Sequence, residues 1–470
     1  MASAQTSENK APSIVALMAA LLVAIFAFQL NASMLSPALK TMAVELNTTD
    51  VAIGNTQTVF FTAAALFSLF LPRLADLVGR KKVLSSMLGI TAAGCIVSAL
   101  SPNVTVLLIG RTMQGVAGPV VPMCLIMLHQ QVTEEDRYTR LMAILTSVNG
   151  GIAGVDALLG GWLAGTFGFR SVFAVMALVA ILAVVLVVAF SRESTADETP
   201  GMDWGGVVSL GIAFLAAYLV INEVEKLSGA NWLMVVVLIV VAAVFFVIFW
   251  KIEDKNPEPM VSTRYLRQRR TWGLLLTTLL TMTGVFAIMN GIVPAIAQDP
   301  EMGVNLGADV VSFATLTPYA LLGLCFGPVA GILASKFGYH RVLRCGQIVS
   351  IVGVLFGIYL AHSASVWGLV VISVVLGIAY AGTANIMLNG LGIVLSPKDN
   401  PGYLPGMNAG AFNLGAGLSY AVLYAAMSSA ATTGGVAAGY GAAMIGSVVL
   451  LALALACSFL IPKESEADNS

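Results

Sequence analysis

Residues 74–84 read LADLVGRKKVL, and residues 333–343 read LASKFGYHRVL. The two segments are 259 positions apart, and each closes one long hydrophobic run and opens the next. Carried along the chain, the same offset places Asn31 on Asn290, Thr56 on Thr315, Thr58 on Thr317 and Asn149 on Asn408. Asparagine is uncommon inside apolar runs, so two such matches at one constant offset mark an internal duplication. The chain is read as two copies of one unit.

Composition identifies the solvent for which that unit is built. The chain is 58% hydrophobic and 10% charged, with a mean hydropathy of +0.91, whereas soluble chains are about 25% charged. Apolar runs near 12–35, 51–72, 83–101, 104–129, 139–165, 170–190, 203–222, 231–250, 271–297, 309–334, 342–361, 366–396, 405–428 and 437–461 approach or exceed the roughly 20 residues that cross a bilayer. Hydrocarbon offers backbone groups no water, so these runs are expected to be helices. The expected fold is all-α and membrane-integral, with fourteen transmembrane helices. A six-helix bundle occupies 1–190, and a second bundle with a short tail occupies 271–470. Between them, 191–270 adds two extra helices and the basic joint KIEDKNPEPMVSTRYLRQRR, 251–270.

Lysine and arginine are distributed unevenly over the joints. Nineteen, among them Arg80, Lys81, Lys82, Arg269 and Arg270, fall in one alternating set, and only Lys40, Arg170 and Lys226 fall in the other. The positive-inside rule then places both termini in the cytoplasm and the chain in the cell membrane. The opening MASAQTSENK carries no cleavage-site pattern, so no removable signal peptide is expected. Repeats that start on the same side are parallel copies, which places a solute site at their interface near the midplane.

Three motifs carry a family resemblance. PRLADLVGRKKVL, 72–84, resembles the signature between helices 2 and 3 of the major facilitator superfamily, with Pro72 where glycine is usual and Leu77 where arginine is frequent. LLIGRTMQGVAG, 107–118, is similar to the superfamily's fourth-helix motif at Arg111, Gln114 and Gly115. The helix count and the inserted pair beginning MDWGG, 202–206, resemble the fourteen-helix, drug:proton antiporter-2 branch. The resemblance implies a proton-driven secondary transporter working by alternating access.

Two departures from the branch bear on direction and solute. Aligning the Gly-Gly of the fifth-helix antiporter motif on Gly160 and Gly161 puts Asp156 and Ala157 where Gly-Pro belongs. In FAFQLNASMLSPAL, 26–39, Phe28 occupies the place of the branch's first-helix acid. The reading adopted is proton-coupled uptake of a small polar metabolite such as a nucleoside or sugar, and proton antiport exporting drugs or metabolites is the alternative.

The candidate residues follow from their cost in lipid. Asp156 and Arg111 are the clear charges inside the runs, each roughly 13–18 Å deep at 1.5 Å per residue. An unpaired charge there costs at least about 2.5–3.5 kcal/mol, so the two are expected to meet. Asp156 is read as the proton carrier and Arg111 as its modulator; a permanent ion pair pinning helix 4 to helix 5 is the alternative. Asn31, Gln57, Asn149, Asn290, Asn385, Asn389 and Asn408 are the candidate solute contacts, with interhelical hydrogen bonding as the alternative. A site rich in amides and poor in acids suits a hydroxylated, uncharged solute. Asp76, Gly79, Arg80 and Lys81 form a candidate conformational latch, asymmetric because the second copy has Ser335 in place of the acid. Gly150, Gly154, Gly161 and Gly165 are spaced to receive a neighbouring helix.

Other chemistries find no footing. There is no GxxxxGK[ST] phosphate loop and no nucleophile or metal constellation, and the five cysteines match neither a disulfide framework nor a zinc site. No catalytic residue, cofactor, metal or nucleic-acid partner is expected. The expected partners are a small solute, protons and the bilayer, and oligomeric state is not read.

Overall fold

Several joints in the chain carry a local reason to turn. Ser13, Thr49, Asn103, Asn231 and Ser365 accept backbone N–H groups at helix starts, satisfying donors that a helix leaves unpaired. Gly79 and Gly338, equivalent under the 259-residue offset, take φ of 125° and 83°, a region that side chains disfavour. The repeat therefore extends to the backbone of its two signature joints.

The computed structural model describes residues 13–462 except 133, 196–200, 225, 227–228, 258, 260, 303, 398–399 and 401. The side chains of 135, 136, 139, 143 and 146–153 are also outside the described residues. The first half comprises α1 (Ile14–Glu45), α2 (Asp50–Val78), α3 (Arg80–Ala99), α4 (Val104–Gln131), α5 (Glu135–Phe167) and α6 (Phe169–Phe190). Then come α7 (Trp204–Val224) and α8 (Trp232–Lys255). The second half comprises α9 (Arg269–Gln298), α10 (Ala308–Phe337), α11 (Tyr339–Leu360), α12 (Val366–Val394) and α13 (Tyr403–Ser458).

Among the described residues, twelve helices are long and apolar enough to cross a membrane, against the fourteen runs expected from sequence. The difference lies in two places. The runs at 405–428 and 437–461 fall in the single 56-residue α13, which kinks at Gly435 (φ 78°). The run at 139–165 lies in the 33-residue α5, part of whose side chains are not described.

The duplication is visible in hydrogen bonds as well as in sequence. Asn31 and Asn290 each donate to the carbonyl four residues back, Ala27 and Phe286. Thr58 donates across the seam between the halves to the Gly417 carbonyl (3.1 Å), and its equivalent Thr317 donates across it to Gly154 (3.2 Å). Two π-helical segments, Ile288–Ile292 in α9 and Gly377–Ala384 in α12, interrupt the regular ladder, as π-bulges often do at functional sites. The inserted α7 and α8 lie at the edge of the bundle. Their Leu210 and Phe249 cluster with Val261, Leu66, Leu69 and Met407, covering the end of α2 and the start of α13.

Candidate solute and proton site

The two halves meet most tightly at the end of the bundle that holds Lys40, Asp50 and Asp299, the distal end. A Cβ on Gly161 of α5 would come within 2.3 Å of the Ala308 carbonyl oxygen of α10, and one on Gly54 of α2 within 3.0 Å of the Tyr424 ring of α13. Gly154 and Gly165 likewise face Ala320 and Asp309 of α10, while the side-chain space at Gly150 is outside the described residues. Glycine lets these backbones approach closely, the usual role of small residues between membrane helices. Lys40 binds Asp50 of its own half at 3.2 Å and Asp299 of the other half at 3.5 Å, and Tyr440 donates to Asp299 at 3.0 Å. Lys40 and Asp299 are themselves 259 residues apart: equivalent positions of the two copies carry opposite charges and pair across the seam. Beneath them a cavity of about 10 Å³, lined by Ser36, Ile53, Gly291 and Tyr424 among others, has room for about one water.

Below that seal the first half is organised around Arg111. Its guanidinium is fully buried and donates to the Asn31 carbonyl from both terminal nitrogens (3.2 Å each), to the Thr56 carbonyl (3.3 Å), to Gln57 Oε1 (2.8 Å) and to Gln114 Oε1 (2.6 Å). It also lies 4.2 Å over the Phe60 ring. These bonds tie α4 to α1 and α2, and they compensate the cost of a buried cation.

Asp156 does not pair with Arg111, contrary to expectation. Its Oδ2 accepts a hydrogen bond from the Ser33 hydroxyl of α1, and its buried Oδ1 has no protein partner. Depth along the membrane normal matches two residues in height but not in bearing around their helices. Both groups turn toward α1 and meet it two residues apart, Arg111 at Asn31 and Asp156 at Ser33. They are linked through one helix rather than by an ion pair.

The amide candidates divide into separate groups. Asn31 and Gln57 both meet the Arg111 guanidinium within the first half, where Asn31 Oδ1 also accepts from Cys95 Sγ (3.4 Å), whereas Asn290 lies at the seam. Ser36 reaches Asn290 Oδ1 (3.4 Å), Tyr420 donates to the Asn290 carbonyl (3.0 Å), and Phe61, Phe286 and Tyr420 follow one another edge to face. Asn408 instead binds Thr278 (2.6 Å) and the Leu388 carbonyl (3.4 Å), holding α13 to α9 and α12. Asn389 is exposed and donates to Asn385. The side chain of Asn149 is outside the described residues. Ser33, Ser36, Phe286, Tyr420 and Tyr424 escaped sequence reading because nothing sets them apart from ordinary helix residues. Lys40 and Asp299 could have been found by carrying the offset onto charges.

The candidate latch assembles in the first copy. Arg80 binds Asp76 at 2.7 Å, and the Glu193 carboxylate accepts the Lys81 and Lys82 backbone N–H groups at the start of α3. Gly79 admits this approach, since a Cβ there would lie 2.6 Å from Glu193 Oε1. Glu193, in the joint after α6, was not anticipated. In the second copy, Arg344 and His340 instead contact the Ser458 and Pro462 carbonyls.

This arrangement has close precedent. The model for the Major Facilitator Superfamily matches residues 21–420. The chain belongs to the major facilitator superfamily. It is a multi-pass membrane transporter of that superfamily rather than an enzyme. It is 57% identical over 467 residues to the uridine/deoxyuridine transporter of Lactococcus lactis subsp. cremoris (strain MG1363), covering 98% of this chain and 97% of that one. Similarity to multidrug transporters is far weaker: 21% identity to multidrug resistance protein 3 of Bacillus subtilis (strain 168), over 60% of this chain and 54% of that protein. The superfamily reading stands, while the drug-antiporter branch does not gain the same support. Among solved structures, a mutant of the nucleoside transporter NupG covers 94% of this chain and 100% of its own at a TM-score of 0.62 and 16% identity. A POT family transporter in complex with 5-aminolevulinic acid covers 95% of this chain and 96% of its own, at 0.70 and 14%. At those identities the likeness is one of fold.

Proposed function

We propose that this transporter carries uridine and deoxyuridine into the cell by proton symport across the cytoplasmic membrane. The observation that carries the substrate is the 57% identity, over nearly the whole of both chains, to a uridine/deoxyuridine transporter. The site chemistry is compatible: the amides of Gln57, whose Nε2 has no protein partner, and Asn290 suit ribose hydroxyls and a base edge, and Phe286 and Tyr420 supply aromatic rings near Asn290. Export of lipophilic cations, the competing reading, lacks the first-helix acid and the Gly-Pro pair of the antiporter motif.

In this reading Asp156 carries the proton, and Arg111 acts on it through α1. The bundles 1–190 and 271–470 rock about the central site, and 191–270 bridges them. Fourteen helices cross the bilayer: α5 makes one span and α13 two, since 56 residues at 1.5 Å each would extend far beyond a core about 30 Å thick. An even count with both termini cytoplasmic accords with the distribution of basic residues. The distal seal then lies on the outer side.

The test is counterflow in proteoliposomes. Vesicles preloaded with uridine should accumulate labelled uridine, unlabelled deoxyuridine should compete, and sugars should not. Absence of uridine counterflow in a preparation that exchanges a lipophilic cation would overturn the assignment.

A further inference from the structure

Ser33 is the sole hydrogen-bond partner of the Asp156 carboxylate recorded among the described side chains. Its hydroxyl has one proton and two acceptors in reach: Asp156 Oδ2 and, at 3.0 Å, the Gln29 carbonyl one turn back on α1. The same oxygen accepts from Gln29 Nε2 at 3.2 Å. One proton cannot serve both acceptors. With Asp156 ionised, the hydroxyl donates to it. With Asp156 protonated, the carboxyl can donate to Ser33 Oγ, and the Ser33 proton turns to the Gln29 carbonyl. Protonation thus reverses the direction of the bond between α5 and α1.

We propose that Ser33 is the positioning residue that passes the protonation state of Asp156 to α1, and through α1 to the solute site. This rests on the reading of Asp156 as the proton carrier. Two features make α1 a transmitter. The carbonyl of Asn31, two residues before Ser33, holds the Arg111 guanidinium, while Ser36, three residues after, reaches Asn290 in the other half. The crossing also has no slack, because Gly160, one turn along α5 from Asp156, faces Met34 so closely that a Cβ would lie 2.1 Å from its carbonyl oxygen. In a close-packed interior, small shifts at such a contact are transmitted rather than absorbed.

The titratable groups on the surrounding helices are otherwise placed. On α1, Lys40 binds Asp50 and Asp299, and Glu45 binds Arg170 of α6. On α10, Asp309 lies against Gly165, about two and a half turns along α5 at 3.6 residues per turn, and Tyr319 packs against Gly377. Arg111 directs its donors to Asn31, Thr56, Gln57 and Gln114.

The experiment measures protons taken up per uridine, and separately uridine counterflow, in proteoliposomes carrying Ser33→Ala, Ser33→Thr or Asp156→Asn. Ser33→Ala should retain counterflow while protons per uridine fall by about 2- to 30-fold, the range for substitutions that interrupt coupling between sites. Ser33→Thr, which restores a hydroxyl, should recover the ratio. Normal coupling in Ser33→Ala, or no recovery in Ser33→Thr, overturns the role of Ser33. If coupling is normal in Ser33→Ala but lost in Asp156→Asn, the proton reading survives and the Ser33 inference alone falls. If Asp156→Asn still accumulates uridine against a gradient, the proton reading itself fails. Should Ser33→Ala fail to fold, Ser33→Cys carries the comparison, since its weak donor should give an intermediate ratio, and full coupling in it would count against the proposal.

Discussion

Replacing Gly161 by alanine should open the distal end of the transporter. The added methyl would lie 2.3 Å from the Ala308 carbonyl oxygen, where ordinary contact begins at 3.4 Å, so α5 and α10 must part by about 1 Å. Overpacking of this kind costs about 1–3 kcal/mol. The contact joins the two halves, so the cost falls on the distally closed state alone and shifts the equilibrium toward the open one by about 5- to 150-fold. A single cysteine at the half-buried Ala295, which lines the distal cavity, reports the shift through its rate of alkylation by an impermeant maleimide after the native cysteines are removed. Gly94→Ala is the control. Its clash, 2.7 Å from the Gly110 carbonyl oxygen, lies between α3 and α4, internal to the first half and present in both states. It should lower thermal stability and leave labelling unchanged. Unchanged labelling in Gly161→Ala, or an equal rise in Gly94→Ala, would refute the assignment of α5 and α10 as the closing seam.

Two further outcomes are expected. Arg111→Lys keeps the charge but loses the planar fork, leaving about two charge-assisted hydrogen bonds unmade at about 1.5–3 kcal/mol each, so the melting temperature in detergent should drop sharply; an unchanged value would contradict the hub role of Arg111. Gly79→Ala should slow transport and lower stability more than Gly338→Ala, by about 1 kcal/mol, because the first adds a clash with Glu193 to the backbone strain and the second meets open space; equal effects on the two copies would argue against an asymmetric latch.

The constant 259-residue offset made the duplication legible, and its consequences reached further than the matched letters. Thr58 and Thr317 each bond across the seam between the halves, and Gly79 and Gly338 share an unusual backbone conformation. Lys40 and Asp299 were hidden because charges were counted by joint rather than compared between copies. The pairing of Arg111 with Asp156 failed for a geometric reason: rise per residue gives depth, while the direction a side chain takes around its helix depends on packing. Asn385 and Asn389 show a second limit, since amides four residues apart on one helix can satisfy each other and leave a solute nothing. The aromatic group of Phe61, Phe286 and Tyr420 could not be singled out at all, because in a chain this apolar an aromatic residue in a helix carries no signal until the helices are assembled.

Internal pH of reconstituted vesicles, recorded as uridine is added outside with no imposed gradient, tests the account most directly. Symport predicts that the lumen acidifies with added uridine and that Asp156→Asn abolishes the change while counterflow persists. A lumen that turns alkaline, or uridine entry without any proton movement, would contradict it.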